Sequence, residues 1–125
     1  MTDAEGTGAE GTGAEGAAAL RRWLEGEARA GRRPGYAEAA DALALPPPRI
    51  RRVAALLEAT MAEDAAASRP FIAALPAARL GHGLPAPGFF AAARALGRFD
   101  GADAGPEAEA FHAAELARLR VALGL

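Results

Sequence analysis

Three consecutive prolines, Pro46, Pro47 and Pro48, stand between two segments of helical period and constrain this chain more than any other feature. Proline lacks the backbone donor and clashes with the preceding turn, so no helix runs through them, yet the last suits the opening of a new helix. Ahead of the break Tyr36, Ala39, Ala40 and Leu43 share one face, with Glu38 and Asp41 opposite. Beyond it Ile50, Val53, Leu57 and Met61 recur at steps of three, four and four, the interval that places side chains on one side of a helix. The stretch from Tyr36 to Met61 therefore reads as helix, sharp turn, helix. Arg49, Arg51 and Arg52 open its second half, although cations in a first turn oppose the helix dipole.

The core has to be built from few large side chains. Apolar residues make up 51% of the 125, but alanine alone is about three residues in ten and buries little area. One small domain is expected. All 14 basic residues are arginine, which with abundant Ala, Gly and Pro points to coding bias from a GC-rich genome. The net charge of -2 is unevenly spread. Asp3, Glu5, Glu10 and Glu15 lie in the first 16 residues, and between Arg21 and Arg52 eight arginines face four acids, a balance of +4. That is a basic patch of modest size. With no cysteine there is no disulfide and no thiolate metal site or nucleophile. The start lacks a signal-peptide layout and no apolar run is long enough to span a membrane, so a cytoplasmic protein without membrane contact is expected.

Residues 1–16 form a Gly-Ala-Glu repeat without large apolar groups, expected to be a disordered acidic tail. A first helix is expected from Ala17, with Leu20, Trp23, Leu24 and Ala28 inward, until Gly31. Arg32 and Arg33 then lie in a basic turn before Pro34. The helix after the prolines is expected to reach about Ala67, and its second half carries Glu58, Glu63 and Asp64, acids that would repel phosphate if they faced it, so only its N-terminal half can face DNA. Phe71 to Leu75 is a short apolar run bounded by prolines and reads as a buried strand. Leu84 to Phe90, with Pro85 and Pro87, reads as an edge strand beside it, making a ribbon whose tip carries Arg79 and His82. A short helix from Phe90 to Leu96, closed by Gly97, and a last helix from Pro106 complete the chain. That last helix carries a stripe of Phe111, Leu116, Leu119 and Leu123, to cap the core or to dimerise.

For catalysis there is little material. Thr60 and Ser68 are the only hydroxyls beyond the tail besides Tyr36. No phosphate-binding loop, dinucleotide fingerprint or Ser-His-acid motif occurs. His112 and Glu115 have a spacing seen among metal ligands, but a third ligand is wanting. No enzyme activity, cofactor or metal is expected.

Tyr36 to Leu43 followed by Arg49-Ile50-Arg51-Arg52-Val53 is similar to the second and third helices of winged helix-turn-helix domains. Gly83-Leu84-Pro85-Ala86-Pro87-Gly88-Phe89-Phe90 resembles a motif of a group of small uncharacterised bacterial proteins and implies no activity. The winged-helix resemblance implies a mainly α fold with a three-helix core, a short β-ribbon and additional C-terminal helices. Residues 17–98 would form that domain, with 99–125 as a loop and helix packed on it or mediating a homodimer. The expected function is binding of double-stranded DNA, with Arg49, Arg51 and Arg52 at the major groove, Arg32 and Arg33 on phosphates, and Arg79 and His82 on the wing. The competing expectation is a protein-protein adaptor on the same scaffold, anchored by exposed Leu84, Phe89 and Phe90.

Overall fold

The computed structural model describes residues 13–125; the repeat through residue 12 lies outside them. Five α-helices and one 3-10 turn make up the described residues: α1 (Gly13–Arg29), α2 (Tyr36–Ala42), α3 (Arg49–Ala66), the turn Ile72–Ala74, α4 (Pro87–Ala95) and α5 (Pro106–Ala122). Among the described residues no helix is long and apolar enough to cross a membrane.

α1 opens at Gly13 and buries Gly16, Leu20, Leu24 and Ala28, each one helical turn after the last, together with Ala17. It ends where Gly31 adopts φ +77° and Arg32 N–H reaches back to Glu27 O at 2.9 Å, a left-handed closure that glycine accommodates without strain. α2 is held at its start by Glu38, whose carboxylate accepts the Gly35 N–H at 2.7 Å. Its buried Ala39 and Ala40 let it lie close against α3.

Two rows of α3 face inward. One is Val53, Leu57 and Met61; the other is Leu56, Thr60 and Asp64. Ile50, expected to head the first row, is instead 51% exposed. Asp64, despite its charge, is fully buried.

The segment from Phe71 to Pro76 is buried at every position. It is the column around which α1, α3 and α5 pack, and it corrects the expected strand. A run with no alternation of exposure fits a buried turn as well as a strand, and its backbone is satisfied by side chains rather than by a neighbouring strand. Asp64 Oδ2 accepts the Ile72 N–H at 3.0 Å, and Glu115 Oε1 accepts the Phe71 N–H at 2.9 Å. Leu84 to Phe90 is not an edge strand either, because Pro87 starts α4 and orders Phe89 and Phe90 on a helical face. One bond, Ala78 N–H to Leu84 O at 2.9 Å, closes the loop between. The described residues contain no strand, so there is no β-ribbon and no wing, and the winged-helix expectation fails at this point. What remains of it is the mainly helical class.

The aromatic side chains gather behind the column. Phe89 meets Phe71 and Phe90 edge to face at 5.9 and 5.1 Å, and Phe99 stacks on Phe111 at 4.7 Å. α5 packs on this layer through Ala108, His112, Glu115 and Leu119. Two of these four are polar, and the carboxylate and the imidazole serve opposite ends of the column.

Candidate nucleic-acid interface

The α2–turn–α3 unit presents its outer side at the first turn of α3. Pro48 caps that helix and has no side-chain acceptor, so N–H groups of the first turn stay open to solvent or to an anion. Arg49 pairs with Asp41 across the turn and also donates to Ala37 O at 3.4 Å. Arg52 donates to Pro47 O at 3.2 Å, fastening the helix to the proline turn. Arg51 is exposed, and no carboxylate among the described residues pairs with it.

Beside this turn lies a groove of about 540 Å³ lined by Tyr36, Glu38, Ile50, Ala78, Arg79 and Ala86, with Gly35 and Ala37. Arg79 thus comes from a distant loop to the edge of the α3 face, and like Arg51 it has no carboxylate partner among the described residues. The groove wall is fixed by Tyr36, whose hydroxyl accepts the Ala86 N–H at 2.9 Å. Burial pushes the Tyr36 phenol above its ordinary range, partly offset by that bond.

His82 does not accompany Arg79. It lines a separate groove of about 620 Å³ between its own loop and residues Asp103 to Glu109, because the 78–84 turn sends the two side chains to different sides. Arg32 is held by Glu27 through bonds of 3.1 and 3.0 Å. That hydrogen bonding lowers the Glu27 carboxyl and raises the guanidinium.

Arg33 departs furthest from the expected phosphate contact. Its Nε donates to Leu75 O at 2.8 Å and its Nη1 to Gly83 O at 2.7 Å, so the guanidinium clamps the end of the buried column to the following loop. Desolvation lowers its pKa, but an arginine stays charged throughout the ordinary range. His112 Nε2 donates to Ala74 O at 2.8 Å. Burial and the nearby Arg33 charge lower the His112 pKa, and the bond to Ala74 only partly opposes this.

The proposed adaptor anchor is not at the surface. Phe89 and Phe90 are buried, Phe89 lying 5.9 Å from Phe71 and 6.0 Å from Phe111 between ring centroids, and Leu84 packs partly buried on the core. On the α3 face the exposed apolar side chain is Ile50. His112 and Glu115 do not form a metal site: each holds a different backbone group of the column, and no cluster of three or more potential ligands occurs among the described residues.

The residues that sequence reasoning missed are Asp64, Glu115 and Ile50. A usable signal existed for the first two, since each lies on the inward row of its helix, Asp64 one turn beyond Thr60 and Glu115 one turn before Leu119. No family model, curated protein or solved structure matches the chain.

Proposed function

We propose that the protein binds double-stranded DNA through the first turn of α3, with Arg79 at its side. The reading rests on one juxtaposition: Ile50, 51% exposed at the start of a helix whose other inward residues are buried, shares a groove with Arg79 and adjoins Arg51, neither of which has a carboxylate partner among the described residues. An apolar side chain flanked by exposed guanidinium groups suits a base edge with a thymine methyl between phosphates. The open N–H groups of the first turn add donors for a phosphate. Arg49 and Arg52, already tied to Asp41 and Pro47, serve this face by fixing the orientation of α3.

Fluorescence anisotropy with random-sequence duplex DNA over a salt series tests the reading. Binding is expected to weaken steeply as salt rises, and Arg51→Ala with Arg79→Ala is expected to flatten the logarithmic slope by about 2, close to one unit for each phosphate that is no longer neutralised. Absence of binding at low salt, or a double variant with wild-type slope and affinity, would overturn it.

A further inference from the structure

At the far end of α3 lies a second basic site that the DNA-binding reading does not use. A pocket of about 340 Å³ is lined by Ala65, Ser68, Arg69, Pro70, Arg98, Glu115 and Arg118. Its floor is Glu115, 1% exposed, and both its oxygens are taken: Oε1 by the Phe71 N–H and Arg98, Oε2 by Arg118. Arg98 is further fixed by lying over the Phe71 ring, 3.9 Å from its centroid. Behind Arg69 is the fully buried Asp64, which also pairs with Arg21.

The charges do not cancel. Arg21, Arg69, Arg98 and Arg118 face Glu63, Asp64 and Glu115, four cations against three anions. The surplus lies at the pocket mouth, because the side chains of Arg69 and Arg118 are 51% and 57% exposed while the two inner carboxylates are covered. Arg69 uses only its Nε on Asp64, and Arg118 only one terminal nitrogen on Glu115. Among the described residues the remaining guanidinium donors of Arg69 and Arg118 have no acceptor, which leaves them to a ligand.

Ser68 adds a neutral donor. It stands at φ 57°, where the chain leaves α3, a position that glycine fills at the least cost. A serine there brings a hydroxyl to the pocket in exchange for some strain.

We propose that this pocket binds a phosphate group, held by Arg69, Arg98 and Arg118 with the Ser68 hydroxyl. A tetrahedral oxyanion matches several convergent guanidinium donors around a closed, already satisfied carboxylate. The phosphate belongs either to a small phosphorylated molecule or to a DNA backbone reaching round from the α3 face.

The test is the thermal midpoint of the full chain in inorganic phosphate against chloride at matched ionic strength. Phosphate is expected to raise the midpoint in a saturating manner. Arg118→Gln should weaken apparent phosphate affinity roughly tenfold, the loss of one charge-assisted contact. Ser68→Gly should hold or raise the midpoint without phosphate, by relieving the left-handed serine, yet reduce the increment that phosphate gives. An increment no larger than that of chloride, or one undiminished in both variants, would overturn the site. Where the increment appears, DNA anisotropy with Arg118→Gln separates the sources: unchanged affinity assigns a small phosphorylated ligand, and a lowered affinity with flatter salt slope assigns the backbone. Phosphate binding without any DNA binding would leave this site standing and remove the DNA-binding proposal.

Discussion

The two ends of α3 carry the same residue type and hold it in opposite ways. At the start, Arg51 is free of acidic partners among the described residues, and Arg49 and Arg52 lean on an exposed carboxylate and a proline carbonyl. At the end, Arg69 and Arg21 reach a fully buried Asp64, and Arg98 and Arg118 reach a buried Glu115. An exposed ion pair contributes little, because water competes for both partners. A buried carboxylate is different: once it is covered, the donors that water supplied must be replaced by donors from the protein. Arginine therefore pairs with surface groups at one end of the helix and covers core carboxylates at the other.

The largest expected effect is at the buried end. Asp64→Ala leaves the Ile72 N–H without its acceptor inside the column and strips Arg21 and Arg69 of their shared partner. A destabilisation of about 3 kcal/mol is expected from an unsatisfied buried donor together with broken charge-assisted bonds. Urea unfolding with an unchanged slope measures it. A change under about 1 kcal/mol would show that water replaces the carboxylate, against the burial described.

Arg33→Met is expected to cost less, about 1 to 2 kcal/mol in the same experiment. It releases Leu75 O and Gly83 O, but the arginine retains solvent-exposed surface, so water can reach at least part of what it leaves. If this variant proves as damaging as Asp64→Ala, the column depends equally on its carbonyl end, and the distinction between covered and open partners weakens.

How much of this was legible in the sequence follows from which signals are periodic. The α3 ridge from Val53 to Met61, the proline break and the opening of α5 at Pro106 follow from spacing and from proline geometry, and all three stand in the structure. The Phe71 to Leu75 run carries no period at all. Five apolar residues between prolines describe a strand and a buried 3-10 turn equally well, and the choice between them is made by Asp64 from the preceding helix and Glu115 from the last. Charges ordinarily face outward, which is why neither acid stands out as a core residue in the sequence. Their position on inward rows outweighs their polarity, since the column offers N–H groups that nothing else would satisfy. Ile50 departs in the reverse direction: its spacing is that of the core, but α2 is seven residues long and the groove beside Ile50 stays open. The candidate site was legible as a cluster of arginines. Which of them are free depends on tertiary partners.

The carbonyl end of the column also responds to pH. His112 is buried beside Arg33, so its folded pKa lies below the unfolded value of 6.5. The unfolded chain then binds the proton first, and the stability from neutral His112 is complete above about pH 6.5 and lost progressively as pH falls through that value toward the folded pKa. The thermal midpoint is expected to be level above about pH 7 and to decline as pH falls below about 6.5. His112→Gln retains a donor for Ala74 O and is expected to flatten this window. An equal decline in the variant would assign the proton elsewhere.

The smallest expected effect on stability comes from the free end of α3 and is the sharpest separation of its two ends. Arg51→Ala and Arg79→Ala, singly or together, are expected to change unfolding free energy by less than about 0.5 kcal/mol, because neither residue satisfies a buried group. Removing the cation from the first turn of α3 works slightly in favour of the Arg51 variant, since a positive charge there opposes the helix dipole. Stability and DNA affinity should then move independently: the double variant melts with the wild type but binds duplex DNA more weakly and with a flatter salt dependence. If the double variant instead unfolds more readily by about 2 kcal/mol or more, far outside the range of exposed substitutions, these arginines have structural partners in solution. The α3 face would then be an internal surface, and the contrast between the two ends of the helix would disappear.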